Sequence, residues 1–223
     1  MGTFAVCGFG GNFASAQTGN IMSLTKDLAG GGLVQAGIRL GALILFSLSI
    51  AAAYLIKRIL DPDMERLCLV VDAGGLLLCL LLPGGLPDLV RLYPIFIASS
   101  FQWGTFSGTD GYNSSTIFTT NNLKQCVLGW TQYFLDHEED MRRRAWFYTI
   151  TVGAFIAGAF TGCMAVLRMG YKGVVCGFGF IVSAGLLSFF KKREMQKRKF
   201  QNQKPSSGGA SAVKDRKLHA SAV

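Results

Sequence analysis

The run "AWFYTITVGAFIAGAFTGCMAVL", residues 145–167, is 23 residues long and carries no charge. About 20 apolar residues suffice for a helix to cross the hydrocarbon core of a bilayer, so this stretch directs the reading toward an integral membrane protein. Two more uncharged runs agree with it, 17 residues at 40–56 and 18 at 173–190. Two further candidate spans are 67–82, interrupted only by Asp72, and 92–106, which is uncharged but holds Ser99, Ser100 and Gln102. Of the 223 residues half are hydrophobic and 16% are charged, and mean hydropathy is +0.37. That is more apolar surface than one soluble core of this length hides.

The net charge of +9 resembles a nucleic-acid signature until it is placed along the chain. Residues 191–223 hold 10 Lys or Arg and 2 Asp or Glu, so the basicity belongs to the C-terminal tail and nucleic acid is not the expected partner. "KKREMQKRKF", 191–200, follows the last apolar run directly. Basic residues there favour the cytosolic face and anionic lipid, which predicts a cytosolic C-terminus. The tail has no apolar periodicity, and 191–223 is expected to be a basic, disordered cytosolic segment. The opening residues lack the basic start of a signal peptide.

Two polar clusters interrupt the apolar chain, "FASAQTGNIMSL" at 13–24 and "TIFTTNNLKQ" at 116–125. An offset of 102 sets Thr18-Gly19-Asn20 over Thr120-Asn121-Asn122, and a pair of apolar runs follows each cluster, 40–56 and 67–82 in one case, 145–162 and 173–190 in the other. The chain therefore reads as two units, about 1–84 and about 85–190, within one membrane domain at 1–190. Three basic residues lie in each of the loops "KRILDPDMER" and "DHEEDMRRRA", against one at 83–91 and two at 168–172. If the richer loops share the tail's cytosolic side, the second unit is inverted relative to the first. The expected fold is thus an all-α polytopic bundle of about six spans, built from two three-span repeats of inverted topology. One crossing within 88–136 is expected to consist of two half-helices around a polar break, and either the first span is truncated or an upstream segment is missing from the sequence.

In hydrocarbon an unpaired polar group costs several kcal/mol, so such clusters must face protein, water or a ligand. Inverted-repeat transporters bind solute at broken helices of this kind. Candidate solute-binding or pore residues are Gln17, Thr18, Gly19, Asn20, Gln102, Thr119, Thr120, Asn121, Asn122 and Gln125, the three glutamines as supporting or pore-lining partners. The competing reading is that these side chains cap helices or hydrogen-bond across them. With no buried Lys or Arg expected beside the clusters, a neutral solute, or an anion held by half-helix N-termini, is easier to accommodate than a polyanion. Asp72 is a candidate ion or proton partner, with snorkelling, or pairing to Arg66 or another helix, as its alternatives.

Gly158 and Gly162, with Ala154, and Gly173 and Gly177 form small-residue faces suited to close packing within the protomer or in a homodimer. Six cysteines show no CxxC spacing and read as buried free thiols. No metal-spaced cluster, nucleophile or acid/base pair stands out, and 137–144 reads as a solvated, charge-balanced loop. Neither enzymatic activity nor a cofactor is expected.

"GGNFASAQTGNIMSL" and "FQWGTFSGTDGYNSSTIFTTNNLKQ" resemble the two motifs of the YoaK family, small membrane proteins mostly from bacteria and of unknown function, over roughly residues 8–190. The resemblance implies about six membrane helices and no established substrate. It differs in two places, since the family has a full first helix before the first motif and lacks the basic tail. The function expected is a small-solute or ion transporter or channel-like protein; the alternative is a membrane scaffold or accessory subunit whose tail holds lipid or a partner.

Overall fold

The structure is a computed structural model and describes residues 2–9, 16–106, 108, 111–114 and 119–203. It is all-helical. A short helix α1 (Gly2–Gly8) leads to α2 (Gln17–Ala29), α3 (Leu33–Leu60) and α4 (Met64–Leu81). A single turn α5 (Asp88–Arg91), then α6 (Tyr93–Thr105), α7 (Thr119–Asp136), α8 (Glu139–Met169), the 3-10 turn Gly170–Val175 and α9 (Cys176–Gln203) complete the order.

The helices follow the local chemistry. Gly31, at φ 76°, makes the tight turn between α2 and α3, a conformation glycine adopts without steric cost. Asp63 caps α4 by accepting from the Arg66 N–H, and its carboxylate lies 3.0 Å from the Arg66 guanidinium. Pro94 stands at the start of α6, where its missing N–H costs no helical bond.

Two clusters of contacts form the core of the compact unit Met1–Ser183. The larger joins Phe46 of α3, Leu76 and Cys79 of α4, and Leu92, Ile95 and Phe96 around α6. The smaller joins Ala53, Cys68 and Phe101. At the centre α6 lies against both α3 and α4. Close approach is possible because the facing residues are small: a Cβ on Gly75 would meet the Ala98 Cβ at 2.8 Å, and one on Gly104 would meet the Ala53 Cβ at 3.0 Å. Ser49 donates to the Ile97 carbonyl at 2.8 Å and Tyr93 to the Ile38 carbonyl at 2.7 Å, so α3 and α6 are also joined through polar groups.

The remaining helices pack in pairs. α2 lies on α3 and α7 on α8, while α1 packs against α8 and the 3-10 turn. The expected small-residue faces divide: a Cβ on Gly173 would strike the Ala165 carbonyl at 2.6 Å and one on Gly177 the Leu76 side chain at 2.7 Å, whereas Gly158 has nothing within 4 Å.

Among the described residues two segments are long and apolar enough to cross a membrane, Leu33–Leu60 and Glu139–Met195. Only 22% and 11% of their most apolar windows are buried in the protein, which distinguishes them from core helices of a soluble fold. Leu48, Ile150 and Phe160 are among the large apolar side chains left on the outside. The candidate spans at 67–82 and 92–106 are helical but do not reach that standard. α4 carries Glu65, Arg66 and Asp72, and the 13 residues of α6 extend only about 20 Å at 1.5 Å each.

The unit Ala184–Val223 contains the C-terminal part of α9. The segment expected to be disordered from residue 191 is helical as far as Gln203, because "KKREMQKRKFQNQ" contains no Gly or Pro and mostly strong helix formers. Residues 204–223 lie outside the described residues.

Adjacent glycines in α4 provide a test of the packing at α6. Gly75→Val should destabilise the protein by about 1–3 kcal/mol through overpacking, whereas Gly74→Val, with nothing within 4 Å, should not. Equal melting temperatures for the two variants in detergent would contradict the close contact. A second test concerns Arg39 and Asp27, which pair at 2.6 Å between α3 and α2 with side chains only 19% and 14% exposed. Arg39→Ala should cost about 3 kcal/mol by leaving the carboxylate in place without its guanidinium, while Arg142→Ala, in an exposed pair with Glu139, should cost under about 1 kcal/mol. Denaturant titration of the two variants separates these outcomes.

Candidate functional site

Both polar clusters carry a buried amide on a helix: α2 begins at Gln17 and holds Asn20, and α7, described from Thr119, holds Asn122 at the offset of 102. Both are buried, Asn122 to 2% exposure. Around them Thr18, Gly19, Thr120 and Asn121 are exposed, and Gln17 and Thr119 are half-buried. The residue capping α2 is Ala16, which supplies no side-chain bond. The Thr119 hydroxyl oxygen is enclosed without a hydrogen-bond partner among the described residues.

The second cluster borders an open cleft of about 590 Å³. Gly111, Tyr112 and Asn113 enter it from the segment between α6 and α7, Asn121 and Gln125 from one face of α7, and Asp140, Met141, Arg144 and Tyr148 from α8. The spacing of four residues explains the arrangement, because side chains at i and i+4 lie above one another on a helix. Asn121 and Gln125 form one such step; Asp140, Arg144 and Tyr148 form two.

Several contacts fix the walls. The Arg144 guanidinium donates to the Gln125 side-chain oxygen. The Tyr148 hydroxyl donates to the Asn113 carbonyl at 2.9 Å, and the Tyr112 ring rests 5.0 Å from that of Phe147 and 6.0 Å from that of Tyr148. One turn further along α7, Gly129 lies so close to Ala145 that a Cβ would approach its backbone at 3.0 Å. Trp130 donates to the Thr149 hydroxyl at 2.9 Å, and Cys126 lies 3.2 Å from it. The cleft thus presents a cation, a carboxylate and three amide residues around a volume suited to a small ligand.

The structure alters two expectations. Residues 139–144 are the first turns of α8 and not a loop, and Arg144 turns inward to the second cluster, where no basic partner was expected. Of the nine lining residues only Asn121 and Gln125 are among the candidates from the sequence; for Asp140, Arg144 and Tyr148 the i, i+4 spacing was the available signal.

The other candidates lie elsewhere. Gln102 is half-buried near the end of α6. Asp72 is 6% exposed on the buried face of α4 that also carries Cys68, Gly75, Leu76 and Cys79. It neither snorkels nor meets Arg66, which pairs with Asp63. One carboxylate oxygen accepts from the Cys68 thiol at 3.8 Å, and the other has no hydrogen-bond partner among the described residues. α2 packs on α3 and α7 on α8, and the two motif helices do not form a major contact with each other. Among the described residues no group of three His, Cys, Asp or Glu side chains is placed to hold a metal.

Neither a curated protein nor a solved structure matches the chain. A family model described as "Protein of unknown function (DUF1275)" matches residues 1–187, which includes both polar clusters and every residue of the cleft. With most of its length covered, the chain belongs to the DUF1275 family, to which the YoaK-like proteins also belong.

Proposed function

We propose that the protein is a multi-pass integral membrane protein that moves a small polar solute or ion, and that the cleft at Asn121, Gln125 and Arg144 is the mouth of its path. The observation that carries this reading is the pairing of a polar cleft with a buried amide on its wall helix, Asn122, repeated at Asn20 in the first unit. The order of elements supports a two-unit description. In each half a leading helix, a motif helix, a tight turn and a long helix follow in sequence. The long helix of each half packs on the leading helix of the other, α3 on α6 and α8 on α1, as an inverted pair would require.

Arg144 narrows the solute class. A guanidinium beside amide groups offers charge-assisted hydrogen bonds to a carboxylate-bearing solute, stronger than neutral ones, and the Asp140 carboxylate one turn away on α8 favours a small solute that also carries a donor over a simple anion. The basic end of α9 would lie against anionic lipid on the cytosolic side. The open Gly158 face is where a second copy would pack in a homodimer.

A scaffold reading has one observation in its favour, the packing of each motif helix on its own long helix and not on the other motif helix. In that case the amides hold hairpins together. Flux of halides, small carboxylates and neutral polyols into proteoliposomes separates the two. Transport predicts carboxylate uptake that falls about 10–100-fold in Arg144→Gln, the equivalent of losing a charge-assisted bond, with a reduction in Asn121→Ala and Asn20→Ala as well. Equal flux from all four proteins, or none from any, would favour the scaffold. For orientation, protease should remove a C-terminal tag only from the cytosolic side; cleavage from the opposite side would reverse the proposed topology.

A further inference from the structure

Of the six cysteines, Cys68 and Cys79 are buried on α4, Cys126 meets Thr149, and Cys176 is exposed alone. Cys7 of α1 and Cys163 of α8 differ: their sulfurs lie 3.2 Å apart although 156 positions separate them in the sequence. Among the described residues no other two cysteine sulfurs are in contact. Cys7 is exposed and Cys163 half-buried.

Their surroundings hold them in register. Two residues beyond Cys7, the fully buried Phe9 ring lies 4.8 Å beneath the Arg91 guanidinium carbon, which is also 5.7 Å from the Tyr171 ring. The end of α1 is therefore fastened to the junction of α5 and α6 and to the turn after α8. Cys163 precedes Arg168 by little more than one helical turn, about 7–8 Å along the axis. Arg91, Arg168, Tyr171 and Lys172 mark this end as the one nearest water, which places the thiols within reach of a dissolved oxidant.

We propose that Cys7 and Cys163 are a reversible disulfide site that joins the leading helix of the first half to the long helix of the second. The inference stands independently of transport. As a thiolate, Cys7 attacks one sulfur of an external disulfide of the glutathione class. The reagent's S–S bond breaks, one glutathione thiolate leaves and takes up a proton, and a mixed disulfide remains on Cys7. The Cys163 thiolate then attacks the Cys7 sulfur and releases the second glutathione. Two cysteine thiols together lose two electrons and two protons, and one glutathione disulfide is reduced to two thiols. Geometry permits the closure without moving the backbone far, since the sulfurs are already in contact and a disulfide requires about 2.05 Å.

The test uses the full-length protein in detergent micelles, exposed to glutathione disulfide and, in parallel, to the thiol oxidant diamide. Free thiols are then counted by a maleimide gel shift, and linked peptides are identified by mass spectrometry without reduction. We expect two of the six thiols to disappear, a single linked pair containing Cys7 and Cys163, and its complete reversal by dithiothreitol. Cys7→Ser and Cys163→Ser should each abolish the linked pair, and Cys176→Ser should leave it unchanged. Linkage through any other pair, dimers joined through Cys7, or six thiols remaining after both oxidants would overturn the proposal. Because the linked peptide is read in the wild-type chain, a variant that fails to fold does not decide the outcome.

Discussion

The backbone of α6 lies against α3 and α4 at distances that only small residues allow, and the rest of the compact unit depends on that approach. Gly75 accepts Ala98, Gly104 accepts Ala53, and Ser49 satisfies itself on the Ile97 carbonyl. Without a hydrophobic driving force between helices in lipid, association rests on such van der Waals contact and on interhelical hydrogen bonds. This explains why α6 can be only 13 residues long and still be central: Ile95, Phe96, Ala98, Ser99, Ser100 and Phe101 are all buried, so most of its surface is covered by protein. Its short length leaves the chain free to break before α7 and to turn Tyr112 and Asn113 onto α8.

Much of the fold was legible because uncharged runs and polar clusters are local signals. The offset of 102 set Asn20 over Asn122, and both are buried on their helices. The long helices fell where the uncharged runs did. What stayed hidden depended on which way a side chain turns. Arg144 sits in a run of three arginines that looks solvated, and only the start of α8 at Glu139 puts it on the face toward Gln125. Burial of Asp72 likewise follows from its sharing a helix face with Cys68, Leu76 and Cys79, which packs inward. Cys7 and Cys163 are 156 positions apart, and no spacing rule brings them together. The helical continuation of the basic segment to Gln203 was available from propensity, but composition and charge concealed it.

The two motif hairpins share a plan and differ in detail. In each, a tight turn returns the chain into a long helix whose second turn sends an arginine back to the motif helix. The first hairpin has its buried amide, Asn20, in the first turn of α2, and the second adds an open cleft and a layer of aromatic contacts. Close packing of Gly129 on Ala145, and the bond from Trp130 to Thr149, bind α7 and α8 into one body. Any displacement of the Asn121 face relative to the core must therefore carry α8 with it.

The partners of the two arginines have an electrical consequence. Arg39 meets the carboxylate of Asp27, so its charge is balanced within its hairpin; Arg144 is bonded to the neutral amide of Gln125. At short range the first pair behaves as a closed dipole whose field decays quickly, while Arg144 shares its cleft wall with the Asp140 carboxylate one turn earlier on α8 and donates to an amide instead. A chain that nearly repeats in the order of its helices thus does not repeat in potential.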